Sequence, residues 1–230
     1  MQQSSIKNSI WVVVAAYNEA QVIAAVLTEI LRRGYQAVVV DDGSRDGTAE
    51  MAAAAGAWVV PHPVNLGQGA ALQTGIKFAL RHGASHIVTF DADGQHRAAD
   101  IARLIEALEA NGADFALGSR FLGASSGMPA SRRWLLQAAT WFTRATTGMR
   151  LTDTHNGLRA MTASGASRIA LRQNRMAHAS ELLDQIARSG LAYVEVPVTI
   201  EYSRYSLAKG QRLADSLTIL FDLSAQKLTR

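Results

Sequence analysis

The chain has 230 residues, 48% of them apolar and 18% charged, which fits a globular protein with a full core and excludes a disordered one. It contains no cysteine, so disulfides and thiolate-bound metals are excluded. The net charge of +4 is uneven: residues 1–117 sum to −4 and residues 118–230 to +8, and the basic half points to an anionic partner such as phosphate, an anionic membrane surface or nucleic acid.

Residues 10–16 form a continuous β-prone run, as expected of a strand buried on both faces. Asn18 is placed to cap a helix over residues 20–33, which Gly34 ends. Residues 37–40 read as a second strand, closing on Asp41-Asp42-Gly43-Ser44. Asp46-Gly47-Thr48 opens a helix that ends at Gly56, and residues 58–61 give a third strand. Asn65-Leu66-Gly67-Gln68-Gly69 leads into a helix through Leu80. Residues 87–90 are a fourth strand, residues 98–110 a helix, and residues 115–117 a fifth strand. Strands alternating with helices of this length predict βαβ units and a mainly parallel sheet, an α/β fold with helices on both faces.

Three strand ends carry polar clusters: Tyr17-Asn18-Glu19, Asp41-Asp42 and Asp91-Ala92-Asp93. In a parallel sheet these ends share one edge, where such folds bind their ligands. Asp91 and Asp93, with Gln95 following, supply hard oxygen donors suited to Mg²⁺ or Mn²⁺ shared with a phosphate. An acidic turn that caps the next helix is the alternative reading of the same spacing.

Beyond Arg120 the texture changes. Residues 123–127 are small and read as flexible. Residues 131–147 read as a helix with Trp134, Leu135, Ala138, Trp141, Phe142 and Ala145 on one side, flanked by Arg132, Arg133 and Arg144. Such a stripe serves either as core or as a face lying in a membrane interface. Helices are predicted over residues 163–172 and 179–189, a strand over 192–198, a basic loop over 203–212 and an amphipathic helix over 213–228. No secretory signal or membrane-spanning stretch is evident, so a soluble or peripheral protein is expected. The whole reads as one domain, with a nucleotide-binding half over 1–117 and a basic, partly apolar half over 118–230.

These stretches, in this order, carry a family resemblance. Ala16-Tyr17-Asn18-Glu19, Val40-Asp41-Asp42-Gly43-Ser44-Arg45-Asp46-Gly47-Thr48, Asn65-Leu66-Gly67-Gln68-Gly69-Ala70, Phe90-Asp91-Ala92-Asp93-Gly94-Gln95-His96, Gly118-Ser119-Arg120-Phe121, and Asp153-Thr154 with Asn156-Gly157-Leu158-Arg159 are each weak alone and specific as a set. The chain resembles inverting family-two glycosyltransferases of GT-A fold. Within them it is most similar to the dolichol-phosphate mannose synthase and polyprenyl-phosphate glycosyltransferase branch.

The resemblance implies transfer of a hexose from GDP-mannose or a UDP-hexose to polyprenyl phosphate, on the cytoplasmic face of a membrane, and it admits a separate small membrane protein as a partner there. It implies that Ala16, Tyr17, Glu19, Asp41, Asp42, Gly67, Gly69 and Ala92 contact the nucleotide sugar, Asp42 through the base. It implies that Asp91, Asp93 and Gln95 hold Mg²⁺ or Mn²⁺ against the diphosphate. Arg120 would meet the acceptor phosphate, with Arg132, Arg133 and Arg204 as further candidates, which makes residues 118–230 the acceptor-binding half. Three positions depart from the pattern: Gln68 where many relatives have lysine, Ala98 where proline is common, and Leu182 where hydroxyl-acceptor relatives show the Asp of a Glu-Asp pair.

The last departure bears on chemistry. An alcohol acceptor needs a general base, whereas a phosphate monoester is already dianionic at neutral pH and needs only cations to hold it. Arginines in the second half and the missing pair favour the phosphate, with Glu181 and Asp184 as the remaining bases for a hydroxyl. His96 and His155 divide between substrate contact and plain loop positions. A phosphatase using Asp91 as nucleophile is disfavoured by Gln95, and a non-catalytic scaffold of the same fold is the other alternative. No nucleic-acid recognition motif accompanies the basic residues.

Overall fold

A computed structural model of the chain describes residues 9–126, 128, 130–173, 177–202 and 205. The elements in order are β1 (Ile10–Ala16), α1 (Ile23–Arg32), β2 (Gln36–Asp41), α2 (Thr48–Ala54), β3 (Trp58–Pro61), α3 (Gln68–Arg81), β4 (His86–Asp91), α4 (Asp100–Asn111), β5 (Phe115–Ser126), α5 (Ala130–Thr147), β6 (Arg159–Thr162), α6 (Ala163–Ser167), α7 (Ala177–Ser189) and β7 (Tyr193–Glu201). Among the described residues no helix is long and apolar enough to cross a membrane.

The strands make one seven-stranded sheet in the order β3-β2-β1-β4-β6-β5-β7. β6 runs antiparallel to β4 and β5, and the other pairings are parallel. The sheet is therefore mixed, with a parallel majority. Successive side chains of β1 point to opposite faces: Val12 and Val14 join one core with Ile23, Leu27, Ile101 and Leu104 of α1 and α4, while Trp11 and Val13 join the other with Leu72, Ile76, Leu182 and Ile186 of α3 and α7. Burial on both faces is why these strands read as unbroken apolar runs. Ile23, Leu27 and Ile30 are fully buried on α1, each stabilising the fold by about 1.5–3 kcal/mol.

Register sets the site. Ala16 pairs with Asp41 and Ala15 with Asp91, so the carboxyl ends of β1, β2 and β4 lie level. The three polar clusters therefore share one edge, as expected.

Several expectations need correction. α1 begins at Ile23 rather than residue 20, because Asn18 does not cap it: Asn18 sits at φ 54°, its N–H donates to Ser44 Oγ, and its Oδ1 accepts from Arg45 N. β6 is absent from the sequence reading. The predicted helix over 163–172 stops at Ser167. β5 continues to Ser126, so residues 123–126 are strand rather than flexible chain, with a register shift against β7 between Ser119 and Ala124. A side chain at Gly123 would overlap the backbone of Val198, so the small residue serves close strand approach. The basic loop over 203–212, apart from Tyr205, and the helix over 213–228 lie outside the described residues.

Candidate active site

An open cleft of about 440 Å³ lies at the carboxyl edge of β1 and β4. Its floor is laced together by main-chain hydrogen bonds to short polar side chains. Glu19 N donates to Thr48 Oγ1 at 2.8 Å, and Ala20 N to Asp46 Oδ2 at 3.1 Å. These bonds join the loop after β1 to the loop after β2, and they leave Ala16, Tyr17 and Glu19 lining the cleft.

Asp42 is buried and acts as a hub. Its Oδ1 accepts from Leu66 N at 2.9 Å and pairs with His62 Nδ1 at 2.8 Å, and its Oδ2 accepts from Gly67 N at 2.7 Å. Asp42 and Gly67 both line the cleft. Asp41 is not among the lining residues, and its Oδ1 accepts from Ser44 N and Ser44 Oγ in a local turn. Gly69 also lies off the cleft wall: a side chain there would overlap the Gln173 carbonyl and crowd His178 Cβ, so close packing against these two residues accounts for this glycine.

Asp91 ends β4 with both oxygens engaged. His96 Nε2 lies 2.9 Å from Oδ2, and Gln68 Nε2 donates to Oδ1 at 3.2 Å. Burial acts to raise its pKa, but the His96 hydrogen bond and electrostatic attraction to His96, His178 and Arg159 outweigh it and hold the carboxyl below its ordinary value. Asp93 is shifted the other way, first by burial and then by the charge of Asp91. Gln95 N donates to Asp93 Oδ1 at 3.1 Å, and the Gln95 side-chain amide donates to Asp93 Oδ2. Asp91, Ala92, Asp93, Gln95 and His96 all line the cleft.

The opposite wall is cationic. Arg120 is buried at 7% exposure, where β5 leaves its register with β7. Its Nε donates to Asp153 Oδ2 at 2.6 Å, Nη1 to Tyr202 Oη at 2.9 Å and Nη2 to the His155 carbonyl at 2.8 Å. Burial lowers the pKa of this guanidinium, but Asp153 and Tyr202 more than restore it. Asp153 itself is placed by its loop, whose Thr152 N donates to Glu195 of β7 at 2.7 Å. Arg159, at the start of β6, is buried, with Nη2 donating to the Thr154 carbonyl at 3.2 Å, and burial pulls its pKa down to about 10 against the attraction of Asp91 and Asp153. Arg132 stands over the Tyr202 ring, 5.2 Å from its centroid, and lines the cleft; Arg133 is exposed and does not line it. Arg204 lies outside the described residues. Tyr205 Oη donates to Glu19 Oε2 at 2.7 Å, which ties the chain after β7 to the loop after β1.

The donor set suits a hard divalent cation. Asp91 and Asp93 crowd like charges onto a half-buried cleft wall, a cost that a cation between them removes. Among the described residues no group of three or more His, Asp or Glu encloses a metal, so a cation here would complete its shell with ligand phosphate oxygens and water, as Mg²⁺ commonly does. Gln95 could join only by turning its amide oxygen from its present arrangement, in which the N–H faces Asp93.

The two acids expected as possible bases are elsewhere. Glu181 Oε2 accepts from Arg172 N and Gln173 N, each at 2.9 Å, and Asp184 pairs with Arg188 on the surface. Neither lines the cleft. His155 does line it; burial drives its pKa down to about 4, so it is neutral at pH 7, with Nδ1 bonded to Thr154 Oγ1 at 2.8 Å. Sequence reasoning gave no role to Asp153, Arg159, His178, Tyr202 or Tyr205. The signal for Arg159 was a charge set inside the apolar run Leu158-Arg159-Ala160-Met161, which only a buried partner permits.

Comparison with known proteins defines the class. The profile described as Glycosyl transferase family 2 matches residues 11–174. An uncharacterized protein of Methanocaldococcus jannaschii is 37% identical over 227 residues, covering 96% of this chain and 93% of that one. The UDP-N-acetylglucosamine–dolichyl-phosphate N-acetylglucosaminyltransferase of Methanococcus voltae is 30% identical, covering 95% and 96%. The polyprenol monophosphomannose synthase of Mycolicibacterium smegmatis is 31% identical, covering 86% and 79%. The glucosyl-3-phosphoglycerate synthase of Mycobacterium tuberculosis, crystallised with Mn²⁺, UDP and glucosyl-3-phosphoglycerate, superposes with a TM-score of 0.75 at 21% identity, covering 97% and 81%, which bears on fold alone. The molecule is a glycosyltransferase of GT-A fold. The chain belongs to glycosyl transferase family 2.

Proposed function

We propose that the chain moves a hexose from a nucleotide sugar, GDP-mannose or a UDP-hexose, to polyprenyl phosphate with inversion, using Mg²⁺ or Mn²⁺. The reading is supported by the names of the relatives in M. voltae and M. smegmatis, and by the division of charge across the cleft. Its lining acids, Glu19, Asp42, Asp91 and Asp93, come before β5, and its lining arginines, Arg120, Arg132 and Arg159, come from β5 onward. The observation that carries the acceptor assignment is the displacement of Glu181 and Asp184 from the cleft, where they hold backbone and a surface arginine. A phosphate acceptor needs no base, since its oxygen is already ionised.

In this reading Tyr17, Glu19 and Asp42 lie along the nucleotide, and Asp91 and Asp93 hold the cation. The bound cation supplies charge neutralisation for the departing nucleoside diphosphate. Arg120 and Arg132, with Arg204 as the further candidate from the sequence, hold the acceptor phosphate in line and offset its repulsion from the donor. A phosphate oxygen forms its bond to the anomeric carbon as the bond from that carbon to the diphosphate breaks. The work takes place on the cytoplasmic face of a membrane, the protein being peripheral there.

The test is a transfer assay with Mn²⁺, a panel of nucleotide sugars and polyprenyl phosphate as the added acceptor. A glycosylated lipid phosphate is expected, and Asp93→Ala should abolish it. Donor binding without transfer to the lipid phosphate, together with transfer to a sugar hydroxyl, would assign the hydroxyl acceptor instead.

A further inference from the structure

We infer that α5 docks the protein on an anionic bilayer through the helix face that carries Trp134 and Trp141. These are the most exposed large apolar residues described, at 75% and 72%. They stand seven residues apart, and with Ala138 and Ala145 they make an outward stripe at helical spacing, all four exposed.

The helix is inside out. Its buried residues are Ala139, Thr140 and Thr143. The two threonine hydroxyls donate back to the Leu136 and Ala139 carbonyls, at 2.8 and 3.0 Å, and so satisfy themselves within the helix. A helix built only for water would turn tryptophans inward and threonines outward. The sequence placed Leu135 and Phe142 on the tryptophan side; the structure separates them, half-burying both and leaving the tryptophans out.

Charge selects the occupant. Residues 130–147 contain Arg132, Arg133 and Arg144 and no acid. Arg133 and Arg144 are exposed beside the tryptophans. Indole rings at headgroup depth with flanking guanidinium groups match an anionic interface. A second copy would set four arginines, Arg133 and Arg144 of each helix, against each other across a two-fold axis, with no acid on either helix to offset them. Arg132 at the start of α5 also lines the cleft, so docking on this face brings the site to headgroup height. The inference builds on the lipid-acceptor reading and is tested apart from it.

The test is co-sedimentation of the full chain with vesicles of phosphatidylcholine alone and of phosphatidylcholine mixed with phosphatidylglycerol. Binding is expected to the mixed vesicles, to weaken with salt, and to fall roughly tenfold or more in the Trp134→Ser, Trp141→Ser double variant. Tryptophan emission should shift blue on binding and be quenched by brominated lipid. Both side chains are exposed, so the variant should keep its circular dichroism, its melting point and its transfer to a water-soluble short-chain acceptor phosphate. Equal partitioning of the two proteins would overturn the inference, as would a wild-type dimer that the double variant converts to monomer. Transfer without vesicle binding removes the docking surface alone, and vesicle binding without transfer removes the proposed reaction alone.

Discussion

The carboxylate of Asp91 rests against the α-carbon of Gly157: a β-carbon added at residue 157 would overlap both of its oxygens. The loop before β6 thereby fixes an acid at the end of β4, in concert with His96 and Gln68. Gly157→Ala is expected to push Asp91 aside, destabilise the protein by about 1–3 kcal/mol and reduce transfer by at least roughly tenfold. Urea unfolding and steady-state kinetics read the two effects separately. Unchanged kinetics in the alanine variant would show that Asp91 does not need its present place.

The Arg120–Asp153 pair is buried on both sides, so its two halves should behave unequally. Asp153→Ala strands a buried guanidinium and should cost about 3–5 kcal/mol. The double variant Arg120→Met, Asp153→Leu should cost less than Asp153→Ala alone, because no unpaired charge is left. Denaturant midpoints of the three proteins decide this.

His155 makes stability depend on acid. Burial holds its native pKa near 4, against an ordinary value of 6.5. The unfolded chain therefore binds this proton first as pH falls. Stability from this group is full above pH 6.5 and is lost as pH falls toward 4, by up to roughly 3 kcal/mol. His155→Asn should flatten that slope in a pH series of melting curves, and an unchanged slope would assign it to other groups.

Chelation should separate chemistry from folding. With two carboxylates as the protein's share of the site, EDTA is expected to stop transfer while leaving the apo melting point in place. Added Mn²⁺ should restore activity. Asp93→Asn should lower the rate at saturating metal by roughly a hundredfold or more.

Asp42 accepts two main-chain donors and a histidine, so Asp42→Ala should destabilise the protein by about 2–4 kcal/mol as well as weaken nucleotide binding. Calorimetry with UDP and GDP on variants that are still folded at low temperature isolates the second effect.

What was legible in the sequence was whatever local chemistry dictates. Residues 10–16 could be read as a strand because both faces of β1 are buried, and the polar clusters at 17–19, 41–42 and 91–93 could be placed on one edge because parallel strands end together. The motif order gave the family. What could not be read depends on partners distant in the chain. Arg120 finds Asp153 only through the pairing of β5 with β6, and β6 is a four-residue strand whose first residue is a charge. Gly69 looked like a ligand glycine, since nothing near it in sequence announces the carbonyl of Gln173. The tryptophan stripe was ambiguous because periodicity locates a face without saying what covers it.

The antiparallel strand has a consequence for how the chain is made. β4 emerges with β1 on one side, and its other edge is filled only by β6, after α4, β5 and α5 have all been synthesised. Until then a chain of some 160 residues carries an open, apolar strand edge along residues 86–91. Any product that terminates between β4 and β6 keeps that edge for good. Truncations in this interval should aggregate or require a chaperone, although the cleft-lining loops after β1, β2 and β4 are already complete.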